Sequence, residues 1–238
     1  MPGRIPLDSA TGELIAKLVG RIVHDFNNPL AAILGFADLL RNPGLTPEKR
    51  ERYVGRVYEQ AQKLSQLVET MAWFATMPPA QAEKLDLARL VQDVFALREG
   101  GMHAAGIALA RELPGKPVTV TGDKAALARA INALLNNVEQ AFKESPQEDR
   151  RAILCCGSGN GEGFVDVADS GGGIPAGMDE QVFEPFFTTR RSGGLGLGLT
   201  VARTLLKRQG GNLVLRREGV AGFGGACFRL TLPLDGAQ

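Results

Sequence analysis

The sequence lacks a long apolar run, a surplus of either charge and a cysteine framework. No apolar stretch approaches the roughly 20 residues that span a bilayer, and the opening MPGRIPLDSATGE has no apolar core of the secretory type. The 27 basic and 26 acidic side chains leave a net charge of +1, which gives no electrostatic case for binding nucleic acid or an anionic membrane. The three cysteines, of which Cys155 and Cys156 are adjacent, have no metal-ligand spacing and are expected to be buried thiols. We therefore expect a cytoplasmic, reduced protein with no membrane span.

Two long helices are predicted in the first third of the chain. Apolar residues recur at three- and four-residue spacing over residues 11–41, and the sequence RNPGLTPEKR then interrupts the pattern. Thr46 suits an N-cap and Pro47 a first helical position, so a second helix is expected from there to about Ala75. Residues 11–76 are thus predicted to form an antiparallel hairpin.

The predicted hairpin cannot bury both of its apolar stripes by itself. Two copies can do so as a four-helix bundle, and we infer a homodimer through residues 11–76. The alternative is that the hairpin packs on the rest of its own chain. Residues 1–10 are expected to be a flexible leader.

A linker at residues 77–84 precedes a region of mixed pattern, residues 85–235. A short strand is predicted to run into a helix at its start, and further helices are expected after Asp123 and from Leu197. The other predicted strands are IALARELP, PVTVTGD, RRAILCCG, GFVDVAD, NLVLRRE and ACFRLTLPL. Because helices and strands do not alternate strictly, we expect an α/β sandwich with several antiparallel strands, in a chain that is α+β overall, and no doubly wound fold.

Two glycine-rich segments are candidates for ligand binding. DSGGGIP at residues 169–175 follows a strand, where Asp169 can accept a hydrogen bond from an exocyclic amine and the glycines allow a ligand to approach the backbone. GGLGLGL at residues 193–199 opens a helix, whose free N–H groups form a ready site for phosphate. Taken singly, a turn-forming aspartate and a flexible hinge are the alternatives. The P-loop and dinucleotide-binding sequences are both missing.

Two further segments place polar groups in apolar surroundings. FEPFFTTR at residues 183–190 puts Thr188 and Arg190 beside the second glycine segment, where hydroxyls and positive charge suit a polyphosphate. NALLNNVEQA at residues 132–141 puts two adjacent amides in a predicted helix, and a side-chain amide oxygen can ligate Mg²⁺. A solvated helix face is the alternative for these asparagines.

In chain order these four segments resemble the N, G1, F and G2 boxes of the Bergerat-fold ATPases. With HDFNNPL at residues 24–30 upstream, residues 11–235 resemble the catalytic core of a sensor histidine kinase. The resemblance implies a dimerisation and phosphotransfer hairpin at residues 11–76 and an ATP-binding domain at residues 85–235. It also implies ATP and Mg²⁺ as cofactors and a response regulator receiver domain as partner.

For the hairpin, the resemblance implies that His24 accepts the phosphoryl group. Asp25 would hold the imidazole tautomer and help to remove its proton, so that the free nitrogen attacks the γ-phosphate in line. Asn28 would position water for dephosphorylation of the partner. Pro29 removes a helical hydrogen bond to the carbonyl of Asp25, and we hypothesise that the loosened turn lets the acceptor meet the ATP domain and the regulator in different states.

For the ATP-binding domain, the resemblance implies that Asn137 ligates Mg²⁺ and that Asp169 reads adenine. The other nucleotide contacts that it implies are Asn136, Gly171, Gly173, Thr188, Arg190, Gly194, Leu195, Gly196, Leu197 and Gly198. The N box departs from the family pattern, because Ala133 stands at its first asparagine and Asn132 is one place out of phase. Gln140 and Ala141 stand where the family often has a basic or aromatic contact.

The resemblance therefore predicts ATP-dependent autophosphorylation on His24, transfer to an aspartate of a response regulator, and phosphatase activity as a second reaction. The altered N box favours the alternative of a non-catalytic dimeric phosphotransfer or phosphatase scaffold with a degenerate nucleotide domain. An ATP-driven clamp would share the four boxes but would leave HDFNNPL and the hairpin unexplained. Because only about ten residues precede the first helix, we expect that a sensor was removed or is a separate protein.

Overall fold

The structure is a computed structural model that describes residues 9–76, 81–144, 148–185, 187–189 and 196–236. The chain divides into two compact units, Met1–Pro78 and Pro79–Gln238. The first unit is helical and the second combines helices with a sheet, so the predicted α+β architecture is confirmed. Over the described residues, no helix is both long enough and apolar enough to cross a membrane.

The first unit is a hairpin of α1, Ser9–Leu40, and α2, Pro47–Thr76. A polar turn joins the two helices, and in it the side-chain oxygen of Asn42 accepts a hydrogen bond from the N–H of Gly44 at 2.9 Å. The hydroxyl of Thr46 accepts one from the N–H of Lys49 at 3.4 Å, as expected of an N-cap before a helix that opens with proline. The two helices pack together, with the rings of Phe36 and Tyr53 5.7 Å apart.

Pro29 lies in the middle of α1, and its side chain is buried. The helix continues through this position up to Leu40 in spite of the hydrogen bond that proline removes. Loosening of the turn that contains His24 during the reaction therefore stays a prediction.

The second unit contains seven described strands: β1 Glu83–Asp86, β2 Ala108–Glu112, β3 Thr119–Gly122, β4 Arg151–Gly159, β5 Glu162–Asp169, β6 Asn212–Leu215 and β7 Cys227–Pro233. Five of them form a mixed sheet in the order β2-β4-β5-β7-β6. The β2–β4 pair is parallel and the other pairs are antiparallel, which agrees with the expected sandwich. A separate antiparallel ribbon is formed by β1 and β3. β1 begins inside the segment that composition assigns to a linker.

Three helices supply the apolar side chains that cover one face of this sheet: α3, Leu87–Ala104, α4, Lys124–Glu144, and α5, Gly198–Lys207. Strand residues at alternate positions, such as Leu154 and Val165, meet helix residues in a common core. Fully burying one such aliphatic side chain contributes about 1.5–3 kcal/mol, so this layer of contacts dominates the stability of the unit.

The other face of the sheet carries a buried acid and a half-buried thiol. Asp166 accepts hydrogen bonds from Arg229 at 2.7 and 2.6 Å and from Arg216 at 2.9 Å, so its charge is paired. Cys155 lies on the same face, opposite Asp166 in the neighbouring strand, and burial raises its pKa to about 11. Cys156 points into the core and burial raises its pKa to about 12, so both thiols stay protonated, as expected of buried cysteines.

Candidate functional site

The helical turn that contains HDFNNPL presents His24 to solvent, with 69% of its side chain exposed. Nδ1 of its ring lies 3.1 Å from Oδ1 of Asp25 and 3.3 Å from Nδ2 of Asn28. Residues four apart share one helix face, which explains why Asn28 reaches the same ring nitrogen. The structure therefore brings together the three residues that the sequence predicts for the phosphotransfer site.

The two contacts at Nδ1 require different forms of the neutral ring. Nδ1 donates a hydrogen bond to Asp25 only when it carries the proton, and it accepts one from Asn28 only when it does not. In the first form Nε2 holds a lone pair and can act as a nucleophile, whereas in the second form Nε2 holds the proton and the lone pair is on Nδ1. Asp25 thus favours the form in which Nε2 can attack an electrophile.

In the second unit, Asp169 ends β5 and is 2% exposed. Its Oδ1 accepts hydrogen bonds from the N–H of Gly171 at 2.8 Å and the N–H of Ala226 at 3.2 Å. The backbone of Asp169 also pairs with residues 225 and 226, since its N–H donates to Ala226 and its carbonyl accepts from Gly225. Peptide groups therefore fix the carboxylate, which is the group predicted to read an exocyclic amine.

The backbone around this carboxylate is too close for side chains at two glycines. A Cβ at Gly225 would collide with Oδ1 and the carbonyl of Asp169 and with the N–H of Gly171. A Cβ at Gly171 would lie against the same Oδ1. The role of Gly225 and Ala226 was missing from the sequence prediction, although the glycine-rich turn before β7 was a visible signal of close backbone approach.

Helix α4 borders the same space. The side chains of Ala141 and Phe142 approach Gly171. Asn137 lies one turn before Ala141, on the same helix face, and is half-buried. Among the described residues, no group of His, Cys, Asp and Glu is arranged to hold a metal ion. Ligation of Mg²⁺ by the Asn137 amide stays a prediction.

Asn136 faces a different neighbour. Its Oδ1 accepts a hydrogen bond at 2.8 Å from Arg98 of α3. The guanidinium of Arg98 also lies 3.4 Å from Oδ1 of Asn132 and forms an ion pair with Glu139 at 2.6 Å. The structure thus places Asn136 with the amides that tie α4 to α3, whereas Asn137 lies on the face of Ala141. A contact of Asn136 with the nucleotide remains a prediction. The sequence did not predict that Asn136 contacts Arg98.

The predicted phosphate end lies at the start of α5. Gly196 has a φ of +64°, Leu197 is buried just before the helix, and Gly198 is its first residue. The N-cap residue Leu197 makes no side-chain cap. The first N–H groups of a helix are a common site for phosphate, and binding of phosphate here stays a prediction. Thr200 donates a hydrogen bond to the carbonyl of Phe183 at 2.9 Å, which ties α5 to the FEPFF segment.

The structure describes only some of the other residues predicted at the phosphate end. Thr188 is described and is half-buried. Arg190, Gly194 and Leu195 lie outside the described residues. Their contacts with phosphate remain predictions.

Comparisons with known proteins place both units in one class. Residues 15–77 match the family model "His Kinase A (phospho-acceptor) domain", and residues 122–236 match "Histidine kinase-, DNA gyrase B-, and HSP90-like ATPase". The helical hairpin thus matches a phosphoacceptor domain, and the unit built on the sheet matches an ATPase domain. The chain therefore carries the two domains of a histidine kinase catalytic core.

Individual relatives agree with this assignment. The chain is 25% identical over 221 residues to the signal transduction histidine-protein kinase AtoS of Escherichia coli, covering 93% of this chain and 35% of AtoS. Among solved structures, ShkA in complex with AMPPNP has a TM-score of 0.61 and 25% identity, covering 93% of this chain and 46% of that one. The histidine kinase ThkA, solved with the response regulator TrrA, has a TM-score of 0.72 and 21% identity. The match covers 94% of this chain and 63% of the ThkA chain, and it supports the fold. The chain thus spans about a third of AtoS and less than half of ShkA.

Proposed function

We propose that the protein is an ATP-dependent protein-histidine kinase that phosphorylates itself on His24 and passes the phosphoryl group to an aspartate of a response regulator. The observation that carries this proposal is the contact between Nδ1 of His24 and the carboxylate of Asp25, on a hairpin that matches a phosphoacceptor family. The match of the second unit to an ATPase family favours the kinase over a non-catalytic scaffold, and the phosphoacceptor match favours it over an ATP-driven clamp.

The chemistry follows from the tautomer that Asp25 selects. With the proton on Nδ1, the lone pair of Nε2 attacks the γ-phosphorus in line, the Nε2–P bond forms, and the bond from phosphorus to the bridging oxygen breaks to release ADP. The ring becomes positively charged in this step, and Asp25 stabilises that charge and accepts the Nδ1 proton. In the transfer step a proton returns to Nδ1, the Nε2–P bond breaks as a bond forms between phosphorus and a carboxylate oxygen of the receiver, and the neutral ring regains its lone pair on Nε2.

The nucleotide has a proposed position in the second unit. The buried carboxylate of Asp169 accepts a hydrogen bond from the adenine amine, and the N-terminus of α5 binds phosphates together with the glycine segment before it. Asn137 would hold Mg²⁺ through its amide oxygen, because a hard cation prefers oxygen ligands and keeps phosphate oxygens and water as its others. The ion would neutralise charge on the phosphates during transfer.

We also propose a homodimer through residues 11–76. Large apolar side chains on the hairpin are about half exposed in a single chain: Val23, Leu30, Leu34, Leu39, Val54, Tyr58 and Val68. A second hairpin would cover such a surface in a four-helix bundle.

Because ATP is its substrate, we expect this core to work in the cytoplasm, and its input comes from a sensor domain or a separate sensor protein.

Labelling with Mg-ATP tests the kinase proposal directly. We expect the full chain to acquire phosphate that is labile in acid and stable in base, as a phosphorus–nitrogen bond is. His24→Gln should abolish this label because it removes the accepting nitrogen. His103→Gln is the matched control, since His103 is the only other histidine in the chain and should leave labelling unchanged. A His24→Gln variant that is labelled as strongly as the wild-type chain would refute the proposal.

A further inference from the structure

The segment that follows Asp169 is held in place by contacts from outside, among which those of Arg217 stand out. Residues 171–179 form neither a helix nor a strand, although they lie between the adenine-side carboxylate and the FEPFF segment. Arg217, which lies just after β6 in the connection to β7, reaches across to this segment. A loop without regular structure needs such external contacts to keep a single conformation.

The guanidinium of Arg217 makes four hydrogen bonds to this loop. Nε and Nη2 donate to the two carboxylate oxygens of Asp179 at 2.7 and 2.9 Å. Nη1 donates to the carbonyl of Ile174 at 2.5 Å, and Nη2 also donates to the carbonyl of Pro175 at 2.9 Å. Pairing with Arg217 lowers the pKa of Asp179, so the contact stays ionised at neutral pH. The planar fork of arginine suits this combination of a bidentate carboxylate and two carbonyls.

The same β6–β7 connection also holds the beginning of the loop. Gly225 donates its N–H to the carbonyl of Asp169 at 2.9 Å, and Ala226 donates to Oδ1 of Asp169. Residues 169–179 are therefore attached to residues 216–226 at both ends. The two glycines predicted beside the nucleotide, Gly171 and Gly173, lie between these attachments.

The far end of the loop has a second tie. Glu180, next to Asp179, pairs with Arg203 of α5 at 2.6 Å. Adjacent acids thus bind arginines on two different elements, one of which is the helix that starts at the predicted phosphate end. The loop is connected to both sides of the proposed nucleotide site, and Arg217 supplies four of the hydrogen bonds that hold it.

We propose that Arg217 is a positioning residue for the nucleotide, which keeps the adenine-side loop in its binding conformation before ATP arrives. This inference rests on the proposed nucleotide site. Preorganisation lowers the entropic cost of binding, so the loss of Arg217 should weaken ATP binding and leave the chemical step unaltered.

The test compares the wild-type chain with Arg217→Ala. We expect the dissociation constant for Mg-ADP, measured by calorimetry, to rise about fivefold to tenfold, because the loop must then be ordered at the expense of binding. The KM for ATP in autophosphorylation should rise by a similar factor, while the rate at saturating ATP stays the same. Lys84→Ala is the matched control, since it removes another exposed ion pair of the same unit, to Asp235, and should change neither value.

A second variant and a second measurement separate positioning from stability. Arg217→Lys keeps the charge but cannot make the fork to Asp179 and the two carbonyls, so its affinity should fall between those of the wild type and Arg217→Ala. Amide hydrogen exchange without nucleotide should speed up over residues 171–179 in both variants and stay unchanged in the core strands.

The outcomes distinguish the two proposals. A wild-type chain that binds no Mg-ADP would overturn the nucleotide site itself. Wild-type binding with equal affinity in Arg217→Ala, or unchanged exchange over the loop, would overturn the role of Arg217 alone. A fall in the rate at saturating ATP with unchanged KM would also contradict it.

Discussion

Two side chains compete for one ring nitrogen of His24. Asp25 and Asn28 both lie within hydrogen-bond distance of Nδ1, and each stabilises a different proton position. Because His24 is exposed and water competes for both contacts, we expect neither of them to lock the ring. The negative charge of Asp25 gives it the advantage once positive charge develops on the imidazole during phosphoryl transfer.

Substitutions of Asp25 and Asn28 should separate autophosphorylation from dephosphorylation of the regulator. Asp25→Asn removes the proton acceptor, and we expect the initial rate of His24 labelling to fall by about 10²- to 10⁴-fold. Asn28→Ala should retain labelling and lose dephosphorylation of the phosphorylated regulator, because the proposed water-positioning amide is gone. Rates from radiolabelled ATP and from purified phosphorylated receiver measure the two reactions.

Neighbouring residues provide controls for this pair. Asp38→Asn removes an exposed acid from the same helix and Asn27→Ala an adjacent exposed amide, and neither should alter either rate. Equal loss of both activities in Asn28→Ala would refute its assignment to dephosphorylation.

At the scale of elements, the start of α4 is set by Asp123. Its Oδ1 accepts a hydrogen bond from the N–H of Ala126 at 2.9 Å, and its Oδ2 accepts one from the N–H of Gln81 at 3.0 Å. These donors lower the pKa of Asp123 below its usual value of 3.8. One carboxylate thus caps the helix that carries Asn137 and also fixes the chain just before β1.

Asp123→Ala should lower the free energy of unfolding by about 1 kcal/mol near neutral pH, as for other N-cap losses. The pKa of this group is lower in the folded than in the unfolded chain, so its stabilisation is present above the unfolded value of 3.8 and is lost as the pH falls through the folded value. The difference from wild type should therefore be constant near neutral pH and shrink in acid.

Urea denaturation across this pH range measures the effect. Asp93→Ala is the control, because it removes an exposed acid that pairs with the first residue of α4 and should cost little. A difference that grows in acid would contradict the role of the Asp123 carboxylate.

Elements were predictable where their signals are local. The hairpin turn carries Pro, Gly and an N-cap within a few residues, so the start of α2 at Pro47 could be read from the sequence. The direction of Asn136 could not, because it depends on Arg98, which lies 38 residues earlier in the chain. The pairing of Ala226 with Asp169 spans 57 residues for the same reason, and only the folded sheet brings the two together.

At the scale of the whole molecule, the apolar surface of the hairpin sets the expected assembly. Leu34 is 59% exposed on α1 in a single chain, and other large apolar side chains share this exposure. Exposed leucines occur singly on many proteins, but a set along one pair of helices indicates an interface.

We expect the full chain to have about twice its monomer mass of 25.3 kDa in solution. Leu34→Glu should shift this mass to that of a monomer, since a charge would be buried without a partner in the bundle. Light scattering coupled to gel filtration gives the masses. Leu97→Glu is the control, because Leu97 is 81% exposed on α3 of the other unit and should leave the dimer intact. A wild-type mass of a single chain would rule out the dimer.

The way in which Asp169 is held has a consequence for inhibition. Its carboxylate is oriented by the peptide N–H groups of Gly171 and Ala226, and a Cβ at Gly171 or Gly225 would press on its Oδ1. A compound that pairs with this carboxylate in competition with ATP would therefore meet resistance through substitution of those two glycines or of Asp169 itself. Each of these changes would also disturb the contact proposed for adenine, so resistance would come with weaker ATP binding.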